Sequence, residues 1–449
     1  MKYPTRGGAA GQHELQHAVG LVPVACSRAH AAALVTAKTS APVTPACTAP
    51  DRLASGGEDV RMVPVRLCGM SVVSFRRMAL VVAAIVCASL TVASPPATAK
   101  FSDTGELSRI GLLDPAWSFA KAAVSFEVVY STKDQHDAPA EGSGALYLPS
   151  GVPPLGGWPL VVWAHGTAGI GDSCAPSRRP QSQRNSAYFN QILDSGYAVL
   201  APDYQGLGTA GQFSYYNTNV EGLSILNAVA AIRTTPIPLS SRWVVIGQSE
   251  GAHAAMSAAS LYAERSGGPA TGLSGVIATG LRTKPSASLP KMFERASTGS
   301  ENQVGYAGYF LASLQELNPD SVTPFLSEFG KEYVEKATSE CLADLVARAG
   351  GRRPAALVAN PDEPTPTFEA DITALAGYSE DRFTSDIMIG YGTADIDVPP
   401  TNTESYGKTL QELNPGIQVT VDSYPGRDHS GAFLASLPDA LAFLNTHLR

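Results

Sequence analysis

The sequence predicts an α/β fold built on a mostly parallel, doubly wound sheet, with a block of helices inserted into it. Three observations carry that prediction. Short continuous apolar runs, such as Leu160-Val161-Val162-Trp163-Ala164, have the composition of strands buried on both faces. They alternate with helical stretches at the spacing of crossover units. The alternation stops for about a hundred residues after Thr279 and then resumes. An apolar content of 44% supplies a large core and excludes a disordered chain.

The N-terminal hundred residues predict export rather than fold. Residues 1–69 are Ala/Pro/Gly-rich with weak periodicity, and are read as an extension without structure. Arg76 and Arg77 precede the apolar run Met78 to Val92, and Ala97-Thr98-Ala99 offers a small-residue cleavage site. Residues 70–99 therefore read as a signal peptide of a secreted protein. A signal this far along implies an over-extended start, with Met70 or Met78 as initiator. The rival is a cytoplasmic tail on a type II membrane anchor, for which the run is short and poor in large apolar residues. Ala84-Ile85-Val86 before Cys87 does not fit a lipidation signal.

Residues 1–99 hold nine Lys/Arg and four Asp/Glu, so cleavage after Ala99 takes the net charge from −8 to −13. No Lys/Arg cluster rivals a nucleic-acid footprint, so no nucleic-acid partner is expected. Cleavage also leaves two of the six cysteines, Cys174 and Cys341. In an oxidising compartment these predict one disulfide, against the alternative of two buried free thiols.

From residue 100 the elements follow in order. Residues 100–123 read as a leader, with Leu112-Leu113-Asp114-Pro115-Ala116-Trp117 a turn into a short helix. Val124 to Ser131 and Gly144 to Pro149 predict an antiparallel pair, with a polar, turn-rich connection from Lys133 to Gly142. The run Leu160 to Ala164 predicts the first parallel strand, and a helix from Ala187 to Asp194 leads to the strand Tyr197 to Ala201. A helix over Val220 to Arg233, the strand Trp243 to Ile246, a helix to Arg265 and the strand Gly275 to Thr279 complete the first core segment, 100–283. Residues 284–383 carry helical stretches, Val304 to Leu317 and Glu332 to Arg348, and a Pro-rich run, Pro354 to Pro366. They read as a cap. The core resumes over 384–449 with strands Ile387 to Tyr391 and Val419 to Tyr424 and a helix from Leu437 to Leu448. The hexapeptide Leu-Gln-Glu-Leu-Asn-Pro, at Leu314–Pro319 and Leu410–Pro415, reads as two helix ends rather than a repeat.

The chemistry starts from Val244-Val245-Ile246-Gly247-Gln248-Ser249-Glu250-Gly251. A β-branched run, a G-x-S-x-G and an alanine-rich helical run predict a strand, a sharp turn and a helix, the nucleophile elbow of an α/β-hydrolase. A serine nucleophile needs a base, and the base needs an orienting acid, in the chain order Ser, Asp/Glu, His. His13, His17 and His30 precede the signal, and His136, His165 and His253 lie too early. Of the remaining two, His447 falls in the terminal helix. His429 lies in the loop Pro425 to Gly431, just past a strand, and is the candidate base. Gly392-Thr393-Ala394-Asp395-Ile396-Asp397 supplies two candidate acids, of which Asp395 is nearer the strand end. Oxyanion donors are expected from the backbone N–H groups of Glu250 and Thr167. The Glu250 carboxylate would crowd a nascent oxyanion, so that side chain is expected to turn away or be paired.

Competing motifs are weaker. Gly206-Leu207-Gly208-Thr209-Ala210-Gly211 fits G-x-G-x-x-G, but a poor helix start follows it and Glu221 comes too early for a ribose acid. No metal-ligand spacing appears. Neither a cofactor nor a metal is expected.

Five motifs in order carry a family likeness. They are Trp163-Ala164-His165-Gly166-Thr167, Ala201-Pro202-Asp203-Tyr204-Gln205-Gly206-Leu207-Gly208, the Gly-Gln-Ser-Glu-Gly elbow, Gly392-x-x-Asp395-x-x-Val398-Pro399 and the His429 loop. Together they resemble the secretory lipases of the lipase-A-like type, capped α/β-hydrolases, over most of residues 110–449. The resemblance implies a Ser249-Asp395-His429 triad and hydrolysis of triacylglycerol or other carboxylic esters, so the expected partner is a lipid or ester small molecule, with at most interfacial contact with lipid. The segment Val304 to Leu311 either lines an acyl tunnel or is plain core. A short-chain carboxylesterase, a serine peptidase on the same fold and a non-enzymatic binding protein are the alternatives.

Overall fold

The computed structural model describes residues 105–361 and 368–449. The expected extension and signal peptide lie outside the described residues. Nine strands appear among the described residues: β1 (Leu107–Leu112), β2 (Ala122–Lys133), β3 (Pro139–Pro149), β4 (Trp158–Ala164), β5 (Ala198–Pro202), β6 (Leu239–Gln248), β7 (Leu273–Thr279), β8 (Asp386–Gly392) and β9 (Val419–Tyr424). They form one sheet in the order β1-β2-β3-β5-β4-β6-β7-β8-β9. The β1–β2, β2–β3 and β3–β5 pairs are antiparallel, and from β5 to β9 the sheet is parallel. The expected mixed, mostly parallel α/β fold is the one found.

The continuous apolar runs feed two separate cores because successive side chains of a strand point to opposite faces. Leu160, Val162 and Ala164 of β4 join one face with Val245, Val276 and Ile389. Val161 and Trp163 join the other with Val244, Ile277 and Met388. The first face is covered by α2 (Thr218–Ile232) and α3 (Glu250–Glu264), whose residues are almost all buried. A helix buried all round is apolar all round, and small residues let it approach its neighbour. A side chain at Gly222 would lie 2.7 Å from Leu261 of α3. The second face is covered by α1 (Gln183–Asp194) and by two C-terminal helices, through Phe189, Phe433 and Leu444.

Between β7 and β8 the described chain is helical: single turns at Pro285–Ser288 and Pro319–Val322, then α4 (Gln303–Leu317), α5 (Glu328–Ala337), α6 (Leu342–Ala349) and α7 (Phe368–Ala376). Phe293, Phe310, Phe325 and Phe368 pack together and continue the first core. The segment Val304 to Leu311 is core: side chains at Gly305 and Gly308 would meet Leu342 at 2.8 Å and Tyr333 at 2.7 Å. After β8 come α8 (Thr403–Leu413), α9 (His429–Ala435) and α10 (Leu437–Leu448).

Four expectations are corrected. The leader contains β1, an edge strand on β2, followed by a three-residue 3₁₀ turn, Pro115–Trp117. The connection between β2 and β3 is five residues, because both strands run further into the polar segment. Helix α1 starts four residues before Ala187, where the Ser182 hydroxyl accepts from Asn185 N. The single helix expected over Glu332 to Arg348 is two, broken at residues 338–341. The hexapeptide behaves as read: α4 ends at Leu317 and α8 at Leu413, each followed by an Asn cap.

The break at 338–341 coincides with the disulfide Cys174–Cys341, with Cα atoms 5.4 Å apart. The bond closes a loop of 167 residues in sequence separation. Chain entropy puts such a loop near the upper end of the usual range. Replacing both cysteines by alanine is expected to lower stability by about 2–5 kcal/mol. The check is the guanidinium midpoint of the oxidised wild type against the double variant.

Candidate active site

The turn after β6 is built as the G-x-S-x-G pattern requires. Ser249 sits at φ 62° and ψ −120°, a conformation that costs a non-glycine residue about 1–3 kcal/mol. Its N–H donates to Thr279 O of β7 at 2.9 Å, and its carbonyl accepts from Ala252 and His253 N–H in α3. The flanking glycines are required by contact. A Cβ at Gly247 would lie 1.9 Å from Gly251 O, and one at Gly251 would lie 1.9 Å from Ala164 O. The loop after β4 also presses on the turn. A Cβ at Gly166 would lie 2.8 Å from Gln248 O and 3.5 Å from the Ser249 Cβ.

His429 and Asp395 meet. His429 Nδ1 and Asp395 Oδ2 are 2.6 Å apart, while Asp395 Oδ1 accepts from Asp397 N and Val398 N, both at 2.9 Å. Three bonds fix this carboxylate. Asp397 turns elsewhere: Ser300 donates to its carboxylate, and Arg282 Nη2 and Gln303 Nε2 donate to its backbone carbonyl. His447 bonds Asp386 at the opposite end of β8. His429 is not in a loop as expected but is the first residue of α9, whose N-cap is Asp428, accepting from Gly431 N at 2.7 Å. Its ring lies against Gly280, where a Cβ would be 2.7 Å from Cε1. Gly280 follows Thr279, so Ser249 and His429 flank the same strand end.

The site is closed and under-satisfied. Ser249, His429 and Asp395 are 8%, 7% and 4% exposed. Buried polar atoms normally find partners. Here His429 Nε2, Gln248 Nε2, Glu250 Oε1 and His165 Nε2 have none, and apart from His429 itself they belong to the elbow or the neighbouring β4 loop. An open cavity of about 540 Å³, lined among others by Ile170, Asp172, Gly211 and Thr338, lies beside the disulfide and includes none of these residues. Among the described residues, no group of three His, Cys, Asp or Glu side chains could hold a metal ion.

Glu250 is not turned to solvent. It is buried, and the Thr167 hydroxyl faces its carboxyl. Burial first, and the nearby Glu221 second, push its pKa well above the usual carboxylate range. Its place at the start of α3 favours an anion by up to about 2 kcal/mol. Taking an unpaired carboxylate out of water costs several kcal/mol, so burial wins.

Three further residues were not found from sequence. Glu221 Oε1 accepts from Tyr216 N, its Oε2 lies 2.9 Å from His253 Nδ1, and His253 Nε2 lies 3.0 Å from Ala376 O at the end of α7. Burial pushes Glu221 up and His253 down to about 4, so the pair is neutral, with the Glu221 O–H donating to Nδ1 and Nε2–H donating to Ala376 O. The only signal was that His253 stands one helical turn after Ser249. Arg184 of α1, with burial lowering its pKa, donates to Gln248 Oε1 at 3.2 Å and to Ser430 Oγ at 3.4 Å, next to Ser249 and His429 in the chain. The Gly206 loop is a packing turn: a Cβ at Gly206 would lie 2.3 Å from Phe213 N, and the next helix starts only at Thr218.

Residues 177–356 match the family model described as secretory lipase. That stretch is similar to the secretory lipases and spans less than half of the chain. The match includes the elbow and most of the helical insert. No curated protein sequence matches the chain. Among solved structures, Candida antarctica lipase A in its closed state is similar at 19% identity and a TM-score of 0.63, covering 79% of this chain and 84% of that one. A hydrolase of Legionella pneumophila is similar at 17% identity and 0.64, covering 77% and 98%. The rice cell wall degrading esterase LipA of Xanthomonas oryzae is similar at 17% identity and 0.63, covering 78% and 100%. These likenesses show the α/β-hydrolase fold.

Proposed function

We propose that the chain is a secreted triacylglycerol lipase working through an acyl-enzyme. The observation that carries this reading is the serine on a strained elbow, beside a strand end that also holds a histidine bonded to a buried aspartate. Ser249 Oγ attacks the ester carbonyl as His429 Nε2 takes its proton, and Asp395 holds the imidazole with Nδ1 protonated. The tetrahedral oxyanion is bound by the backbone N–H groups of Glu250 and Thr167. Collapse expels the alcohol, which takes the proton from His429. Water then attacks the acyl-enzyme by the same route, releasing the fatty acid and restoring Ser249. His429 Nε2, without a partner in the closed site, is the atom free to take that proton. Residues 284–383 act as the cap over this site, and cleavage after Ala99 delivers the mature chain.

Nitrophenyl esters of increasing chain length, a triacylglycerol emulsion and an aminoacyl amide separate the alternatives. Hydrolysis of the emulsion and a preference for long acyl chains support a lipase. Activity confined to short soluble esters makes the chain a carboxylesterase, and cleavage of the amide alone makes it a peptidase. N-terminal sequencing of exported protein is expected to begin at Lys100.

A further inference from the structure

Glu250 carries a buried carboxyl that the acyl-transfer scheme leaves unused. Its backbone has a place in the scheme and its carboxyl does not. The groups facing that carboxyl are the Thr167 hydroxyl from the β4 loop, Glu221 from α2, Tyr204, Tyr215 and Tyr216 from the segment after β5, and Tyr309 from α4. None of these carries a positive charge. Oε1 is buried without a partner. The Thr167 hydroxyl continues to Tyr215 Oη at 2.7 Å, and Tyr215 N is held by Ser313 Oγ of α4 at 2.8 Å.

We propose that Glu250 is a positioning residue working as a neutral acid, whose carboxyl proton goes to Thr167 Oγ1 and holds the Thr167 loop as the second wall of the oxyanion site. This rests on the acyl-transfer reading above. A hydroxyl has one proton to give and two lone pairs to receive. With Glu250 protonated, the carboxyl donates to Thr167 and Thr167 donates to Tyr215. Loss of the Glu250 proton reverses both bonds, because the threonine hydroxyl must then turn to the carboxylate. It also puts a full negative charge on the residue whose N–H receives the oxyanion, which disfavours the tetrahedral intermediate. Activity is therefore present below the pKa of Glu250 and falls as pH rises through it. Burial first and Glu221 second move that point upward from the ordinary carboxylate range, against the Thr167 hydroxyl, which lowers it.

The test compares wild type, Glu250→Gln and Glu250→Ala on a soluble nitrophenyl ester, each pH profile normalised to its own plateau. Infrared difference spectra of wild type against Glu250→Gln are recorded alongside. The wild type is expected to show a protonated-carboxyl C=O band at neutral pH and an alkaline limb in kcat falling about tenfold per pH unit. The limb and the loss of the band coincide in pH. Glutamine, which stays neutral and can still donate, is expected to remove that limb and to hold a plateau at least about tenfold above alanine, with KM moving little. Absence of the carboxyl band at neutral pH overturns the proposal, as does an unchanged limb in Glu250→Gln or a plateau for alanine equal to that of glutamine. The band reports protonation without any turnover, so failure of the acyl-transfer reading, seen as full activity in Ser249→Ala, is told apart from failure of this one.

Discussion

Ser249→Ala is expected to lower kcat for ester hydrolysis by about 10⁴- to 10⁶-fold while the protein stays folded. No other side chain in the elbow has a hydroxyl. Alanine also keeps the buried volume small, and it can hold the φ 62° position at about the cost serine does. Single-turnover measurement with a nitrophenyl ester checks both halves of the expectation. The wild type should release a burst of nitrophenol as the acyl-enzyme forms, and the variant should release none. Far-UV circular dichroism and the denaturant midpoint establish that the loss is chemical.

Asp395→Asn is expected to cost about 10⁴-fold in kcat, against a change of less than about threefold for Asp397→Asn. An amide at 395 can still accept from Asp397 N and Val398 N through its oxygen. Its NH₂ then faces His429 Nδ1 and forces the proton to Nε2, where it blocks uptake from Ser249. Asp397 has no contact with the imidazole, and asparagine there can still accept from Ser300. Measuring the two variants side by side on one ester, across pH, checks the assignment. Equal losses would place both carboxylates in the machinery, and a larger loss at 397 would reverse their roles.

The parallel half of the sheet was legible because buried strands announce themselves as continuous apolar runs. The elbow was legible because three constraints coincide in eight residues. Strand β1 was not: Leu-Ser-Arg-Ile-Gly-Leu is half exposed and carries a glycine, and its strand geometry comes from pairing with β2. The break between α5 and α6 was hidden for a similar reason. Glu332 to Arg348 has helical composition throughout, and what interrupts it is a contact with Gly169 and Cys174, some 170 residues away in the chain. Within the site, residue types and order pointed to Ser249, Asp395 and His429. The protonation of Glu250 and Glu221 was invisible, because it depends on burial by α2, α3 and the tyrosines of the segment after β5. His429 opening a helix was readable in principle, since Asp428 with Ser430 and Gly431 behind it is an N-cap pattern.

The bond between Cys174 and Cys341 has a mechanical meaning apart from its effect on unfolding. Around it, Leu342 N donates to Ala168 O, Gly169 bridges Cys341, and a Cβ at Gly171 would lie 2.7 Å from Ser339 O. The middle of the helical insert is thus riveted to the stretch that begins at Thr167. Near Ser300 and Gln303, by contrast, the insert meets the Asp395–Asp397 loop through side-chain bonds alone. The middle of the insert is thus an abutment held by a covalent bond and backbone pairing, while the arm before α4 is held to the Asp395–Asp397 loop by hydrogen bonds of side chains.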